Sequence, residues 1–253
     1  MSFKIFRLEE LNLDNFFFQS PRKVELLQSK NAILIPMIYK DEEARKILPI
    51  LFQLPSIKLN DSYRHDDVLL VPINPINNNK TDIMKSVLNN IDNKLINDFK
   101  LNGKKWCKEV IQNLKNIEYK AIVNEIDDDD VIYENGVLSL SLLTNNNLKI
   151  YNEKKELIDK EDYGKVLIKG TIIQSIIELK GLMITLNDED NEIFPLLKVH
   201  QIRYIEEKML EVNLDNYSIL DSDIEVVKQY TNTAKKNQMD LTLLEELNEK
   251  KAI

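Results

Sequence analysis

With 253 residues, 43% apolar and 30% charged side chains, and only five Gly and seven Pro, the chain can bury a substantial core and is neither collagen-like nor wholly disordered. Its net charge of -8 is unevenly placed, with residues 1–120 summing to +4 and residues 121–253 to -12. That split suits an anion-binding half beside an acidic one, and surface drift also produces it. The single cysteine, Cys107, excludes an internal disulfide, and with His65 and His200 as the only histidines no zinc-site spacing exists. No window approaches the roughly 18 unbroken apolar residues of a membrane helix, so a soluble, cytoplasmic protein in a reducing compartment is expected.

Three apolar runs come first: Ala32 to Tyr39, Ile47 to Lys58 and Val68 to Ile73, each bounded by charged or Asn-rich stretches. They read as strands. Pro36, Pro49, Pro55 and Pro72 fall within or beside them, which requires edges, strand ends or bulges, and hence an irregular or barrel-like sheet. From Thr81 the period changes. Met84, Leu88, Ile91 and Leu95 recur at helical spacing, predicting a helix that stops near Asn102-Gly103, with a second from Lys104 to about Lys115.

Strand patterns return at 119–126, at 137–143 and at 148–152, the last two separated by Asn-rich residues as in a hairpin. The tract from Val166 to Leu186 and the run from Ile193 to Ile205 are β-branched, and Gly170 and Gly181 favour long, bent strands. Beyond Glu206 the chain turns polar and acidic, then ends on Leu241, Leu244 and Leu247, which can line one helical face. The expected domains are a β-rich unit over 1–206, with a helical insertion at about 80–116, and an acidic, partly helical C-terminal appendage over 207–253.

Catalytic patterns are missing. The five glycines form neither GxGxxG nor GxxxxGK[ST], and Gly164-Lys165 reads as a turn with a solvated lysine. Cys107 reads as a small helix residue, His200 as a sheet-face imidazole and His65 as a surface contact. The run Asp127 to Asp130 lacks the glycine and closing glutamate of an EF-hand and reads as a solvated acidic loop. No enzyme, no metal and no cofactor is expected.

One constellation suits binding. Lys100, Lys104, Lys105, Lys108, Lys115 and Lys120 surround Trp106 and Tyr119, and Lys58 with Tyr63, Arg64 and His65 forms a second patch. Cations neutralise phosphates while aromatic faces stack on unpaired bases, so such clusters hold single-stranded nucleic acid without reading sequence. The plainer reading is a solvated helix face with Trp106 in the core.

The order of segments resembles the single-stranded DNA-binding proteins of nucleocytoplasmic large DNA viruses, and their relatives on linear cytoplasmic plasmids of yeasts. The resemblance spans residues 30–206 and rests on Gln53-Leu54-Pro55, on Ile91-Asp92 and Trp106 in the helical segment, on Ile177 to Gly181, and on Val199 to Ile202. It implies an α+β fold with an OB-type barrel core, helical insertions and cooperative single-stranded DNA binding in cytoplasmic replication. The partners so implied are single-stranded DNA, replication proteins reached through the C-terminal segment, and further copies of the chain on DNA. The rival reading is an acidic structural or assembly protein that binds a protein partner through that segment.

Overall fold

The computed structural model describes residues 3–26, 29–42, 44–63, 68–76, 78–106, 117–124, 135–142, 147–186 and 191–205. Its spine is a hairpin of two 15-residue strands, β13 (Ile172–Leu186) and β14 (Asn191–Ile205), paired antiparallel from end to end. Three strands follow one another along the free edge of β13: β7 (Ile57–Lys58), β6 (Ile50–Gln53) and β4 (Ser29–Asp41). Serving all three requires β13 to bend, and its register with β14 slips between Ile176 and Ile177 and again between Leu179 and Gly181. At the second slip Gly181 has φ +144, and a Cβ there would lie 2.1 Å from the Ile35 carbonyl oxygen. Only glycine lets β4 come this close. Pro36 stands opposite Gly181, at the irregularity its missing N–H calls for.

The far edge of β14 receives β9 (Ile117–Tyr119) near its start and β12 (Lys149–Tyr151) near its end, both parallel. β1 (Ile5–Arg7) extends the sheet beyond β6, while β2 (Phe16–Phe18), β3 (Arg22–Leu26) and β5 (Lys46–Leu48) flank β4. A smaller sheet is made of β10 (Val123–Asn124), β11 (Val137–Ser141) and β8 (Val68–Pro72). This is the sheet-dominated α+β fold expected, bent in keeping with an OB-type barrel. Among the described residues the strand path does not close on itself.

Helix α1 (Thr81–Trp106) seals one side of the core. Met84, Leu88, Ile91 and Leu95 are wholly buried and join one cluster with Phe52, Val71, Leu138 and Ile177, so the helix binds both sheets together. Burial of each such side chain stabilises the fold by about 1.5–3 kcal/mol.

Three expectations need correction. The helix does not stop at Asn102-Gly103 but runs through to Trp106. Gly103 is buried against Phe99, where a Cβ would meet the ring at 3.0 Å, so its smallness serves packing rather than termination. The rest of the proposed second helix lies outside the described residues. The segments at 137–143 and 148–152 do not form a hairpin, because β11 pairs with β8 and β10 while β12 joins β14 in the other sheet. The strand expected from Val166 begins at Ile172; before it, α2 (Tyr163–Val166) is a helical turn, and Gly170 has φ +93 in the connection. No helix among the described residues is long and apolar enough to cross a membrane. The C-terminal segment from Glu206 lies outside them.

Candidate nucleic-acid interface

Strand register decides which side chains stand together, because residues directly opposite one another share a face. One row crosses five strands as Arg7, Gln53, Ile176, Gln201 and Lys149. The next residue on each side of this row belongs to the core: Phe6 beside Phe52 and Ile177, and Ile150 beside Ile202 and Ser175. The row itself therefore lies on the face turned away from the core. A second row on that face joins Gln174, Arg203 and Tyr151, a third Lys58, Ile172 and Ile205, and a fourth Ile5, Leu51, Glu178 and Lys198. Among these rows the only acid is Glu178, whereas Arg7, Lys58, Lys149, Lys198 and Arg203 are cationic.

Local bonding fixes the elements that carry this face. The Tyr163 hydroxyl of α2 donates to the Leu148 carbonyl at 3.0 Å, and Ile158 N–H donates to the Ile150 carbonyl at 2.9 Å, which pins β12 on both flanks. After β12 the chain reverses through Asn152, whose side chain accepts from Glu156 N–H at 2.9 Å and donates to its carboxylate at 2.6 Å. Lys155, at φ 64, sits in this reversal. A cavity of about 330 Å³ opens between β6, β13, β14 and β12, lined among others by Gln53, Tyr151, Lys155, Gln174, Gln201 and Arg203. Gln174 is buried and its amide donates to the Ser56 hydroxyl at 2.9 Å, which holds that wall.

Beside the cavity the face is ionic. Glu178 accepts from Lys180 at 2.9 Å and contacts His200 Nε2 at 2.6 Å. Burial alone would raise its pKa, but the hydrogen bonds and charges of Lys180 and His200 outweigh burial and hold the carboxyl below its usual range. The acid is thus spent on its neighbours. Farther along, Leu34, Met183 and Phe194 make an apolar patch on the outer side of the same sheet, and at the opposite end Ile76 packs over Ile172 and Ile205.

The residues expected from sequence lie on several elements, with Lys100, Lys104, Lys105 and Trp106 together at the end of α1. Lys58 lies on the outer face described above. Lys100, Lys104 and Lys105 are exposed near the end of α1. Trp106 is half-buried, its ring 4.7 Å from Phe18 and 6.4 Å from Phe99, so aromatic neighbours within the protein already engage it. Tyr119 is half-buried and its hydroxyl donates to Asp92 at 2.6 Å. Asp92, buried on α1, also accepts from Ile122 N–H at 3.0 Å, and burial raises its pKa although these bonds pull the other way. The Ile91-Asp92 pair is accordingly a clamp that ties the 117–122 segment to α1. Lys120 is ion-paired with Glu192 on β14. Tyr63 is half-buried against the core, its N–H donating to the Leu167 carbonyl at 2.7 Å. Arg64 and Lys108 lie outside the described residues.

Tyr151, Lys149, Gln201 and Arg203 were not singled out by sequence. The signal was present as period-two alternation, Lys149-Ile150-Tyr151 and Gln201-Ile202-Arg203, which marks a polar face once both segments are known to be strands of one sheet.

No family model matches the chain, and no curated protein matches it. Among solved structures, the C-terminally truncated single-stranded DNA-binding protein of bacteriophage Enc34 aligns with TM-score 0.39 and 14% identity over 74% of this chain and 94% of that one. The same phage protein in complex with single-stranded DNA aligns with TM-score 0.32 and 13% identity over 72% and 94%. Neither comes from a nucleocytoplasmic large DNA virus or a yeast plasmid.

Proposed function

We propose that the chain is a non-enzymatic protein that binds single-stranded DNA across the outer face of the β6–β13–β14–β12 sheet. The observation that carries this reading is the row structure of that face, where five cations from four strands share the rows with Tyr151 while the one acid of those rows is ion-paired. Phosphates are attracted by the cations, and an aromatic ring among them offers a stacking surface to an unpaired base. A duplex hides its base faces and cannot use that ring. The net charge of -8 does not oppose the reading, since affinity follows the local field of the groove and not the sum over the chain.

The finer role is replication of a cytoplasmic viral or plasmid genome, which rests on the segment order resembling proteins of that kind. Residues 207–253 then form the acidic appendage that recruits replication proteins or competes for the groove, with several copies lining a strand. Fluorescence anisotropy with labelled oligo(dT), its RNA counterpart and duplex DNA at two salt concentrations tests the core of the proposal. Binding of oligo(dT) that weakens with salt and exceeds duplex binding is expected; equal or absent binding overturns it.

A further inference from the structure

The cavity on the sheet face has a lining unlike that of a sequence-blind groove. Three glutamines, Gln53, Gln174 and Gln201, converge on about 330 Å³, a volume near the lower end of ligand pockets. Gln53 and Gln201 occupy the same row on either side of Ile176, one strand away from it in each direction. At about 4.8 Å per strand their backbones stand roughly 10 Å apart, with an aliphatic floor between them. Tyr151 and Arg203 close one side as cross-strand partners.

We infer that this cavity takes one unstacked adenine of a bound single strand and reads its edge through the glutamine amides. A carboxamide offers one donor and one acceptor side by side, which matches the N6–H and N7 of adenine. Gln174, fixed by Ser56, shapes the wall, and Gln53 and Gln201 supply the reading groups. Ile176 and Tyr151 furnish the apolar and aromatic surfaces for the base plane, while the exposed Lys155 is the cation for a flanking phosphate. Binding along the rest of the face stays indifferent to sequence, so one position in the bound strand carries the selectivity.

This inference rests on the proposed single-strand binding, and the test separates the two. Affinities are measured for an oligo(dT) tract and for tracts carrying one central dA, dG or dC, with the wild-type chain and with Gln53→Leu/Gln201→Leu. The wild type should favour the dA tract at least about 5-fold, and the double variant should bind all four tracts alike, whatever its overall affinity. Equal wild-type affinities, a different preferred base, or a preference that survives in the variant each overturn the adenine subsite while leaving strand binding intact. Absence of binding to every tract overturns the reading beneath it. Deoxyadenosine monophosphate serves as the last arm: competition at the oligonucleotide's own concentration would mark a free-nucleotide pocket and overturn the strand assignment.

Discussion

The end of α1 and the outer face of the main sheet both gather cations, yet they gather them by different geometry. On the helix, Lys100, Lys104 and Lys105 come from adjacent turns of one segment, and successive residues diverge by about 100° around the axis. Trp106 beside them leans on Phe18 and Phe99. On the sheet, residues drawn from positions 5 to 205 line up in rows on one face, and Tyr151 stands among them. Density of lysine along a sequence and the register that aligns scattered residues therefore nominate different surfaces.

The comparison breaks most visibly at the two aromatics. Trp106→Ala should lower stability by about 3 kcal/mol, the low end for removing a packed aromatic because the ring is half-exposed. Protein that remains folded should bind oligo(dT) with unaltered affinity, and thermal melts beside anisotropy measure both quantities. Intact melting with lost binding would move the interface to the helix.

A charge comparison sharpens the same point. Lys149→Ala/Lys198→Ala/Arg203→Ala should flatten the plot of log K against log salt by about two units, at roughly 0.7 per phosphate on a single strand. The matched helix triple, Lys100→Ala/Lys104→Ala/Lys105→Ala, should leave that slope in place and scarcely move the melting temperature. Reversal of the two slopes would exchange the roles of the regions. Next in size, Tyr151→Ala should weaken oligo(dT) binding by about 1–3 kcal/mol and Tyr151→Phe by less, because stacking needs the ring and not the hydroxyl. Equal losses for the two substitutions would show that the hydroxyl, not the ring, is what binds.

What the sequence disclosed follows from the range of each signal. The spacing of Met84, Leu88, Ile91 and Leu95 is local, so the helix and its buried face were legible. The apolar runs at 32–39 and 193–205 likewise announced β4 and β14. Pairing was not legible. Asn-rich residues between 143 and 148 mimic a hairpin turn, but partner choice depends on which edge of β14 stands open, a property of the assembled sheet. Gly103 misled for a related reason: glycine after a helical run signals an end unless a ring elsewhere needs the space, as Phe99 does. The proposed binding face was hidden because its rows draw on positions 5 to 205, and only the register joins them.

The smallest effect concerns two carboxyls, one in each region, whose pH dependence should run in opposite directions. Asp92 is buried on α1, and burial outweighs the bonds from Tyr119 and Ile122, so its folded pKa stands above the unfolded value. The folded state holds that proton longer, and the contribution of Asp92 to stability falls as pH rises from the ordinary aspartate range to the folded value. Glu178 on the sheet face is the converse. Burial would raise its pKa, but Lys180 and His200 hold the folded carboxyl below the usual range. Its stabilisation is complete above the unfolded pKa and is lost as pH falls through the folded one. Melting curves between about pH 3 and about pH 7 separate the two, since carboxyls titrate within that window. The advantage of wild type over Glu178→Gln should shrink toward the acid end, whereas its advantage over Asp92→Asn should be largest there and diminish as pH rises. Parallel trends for the two variants would mean that one of these environments is misassigned, and a flat Glu178→Gln difference would remove the ionic lock from the sheet face.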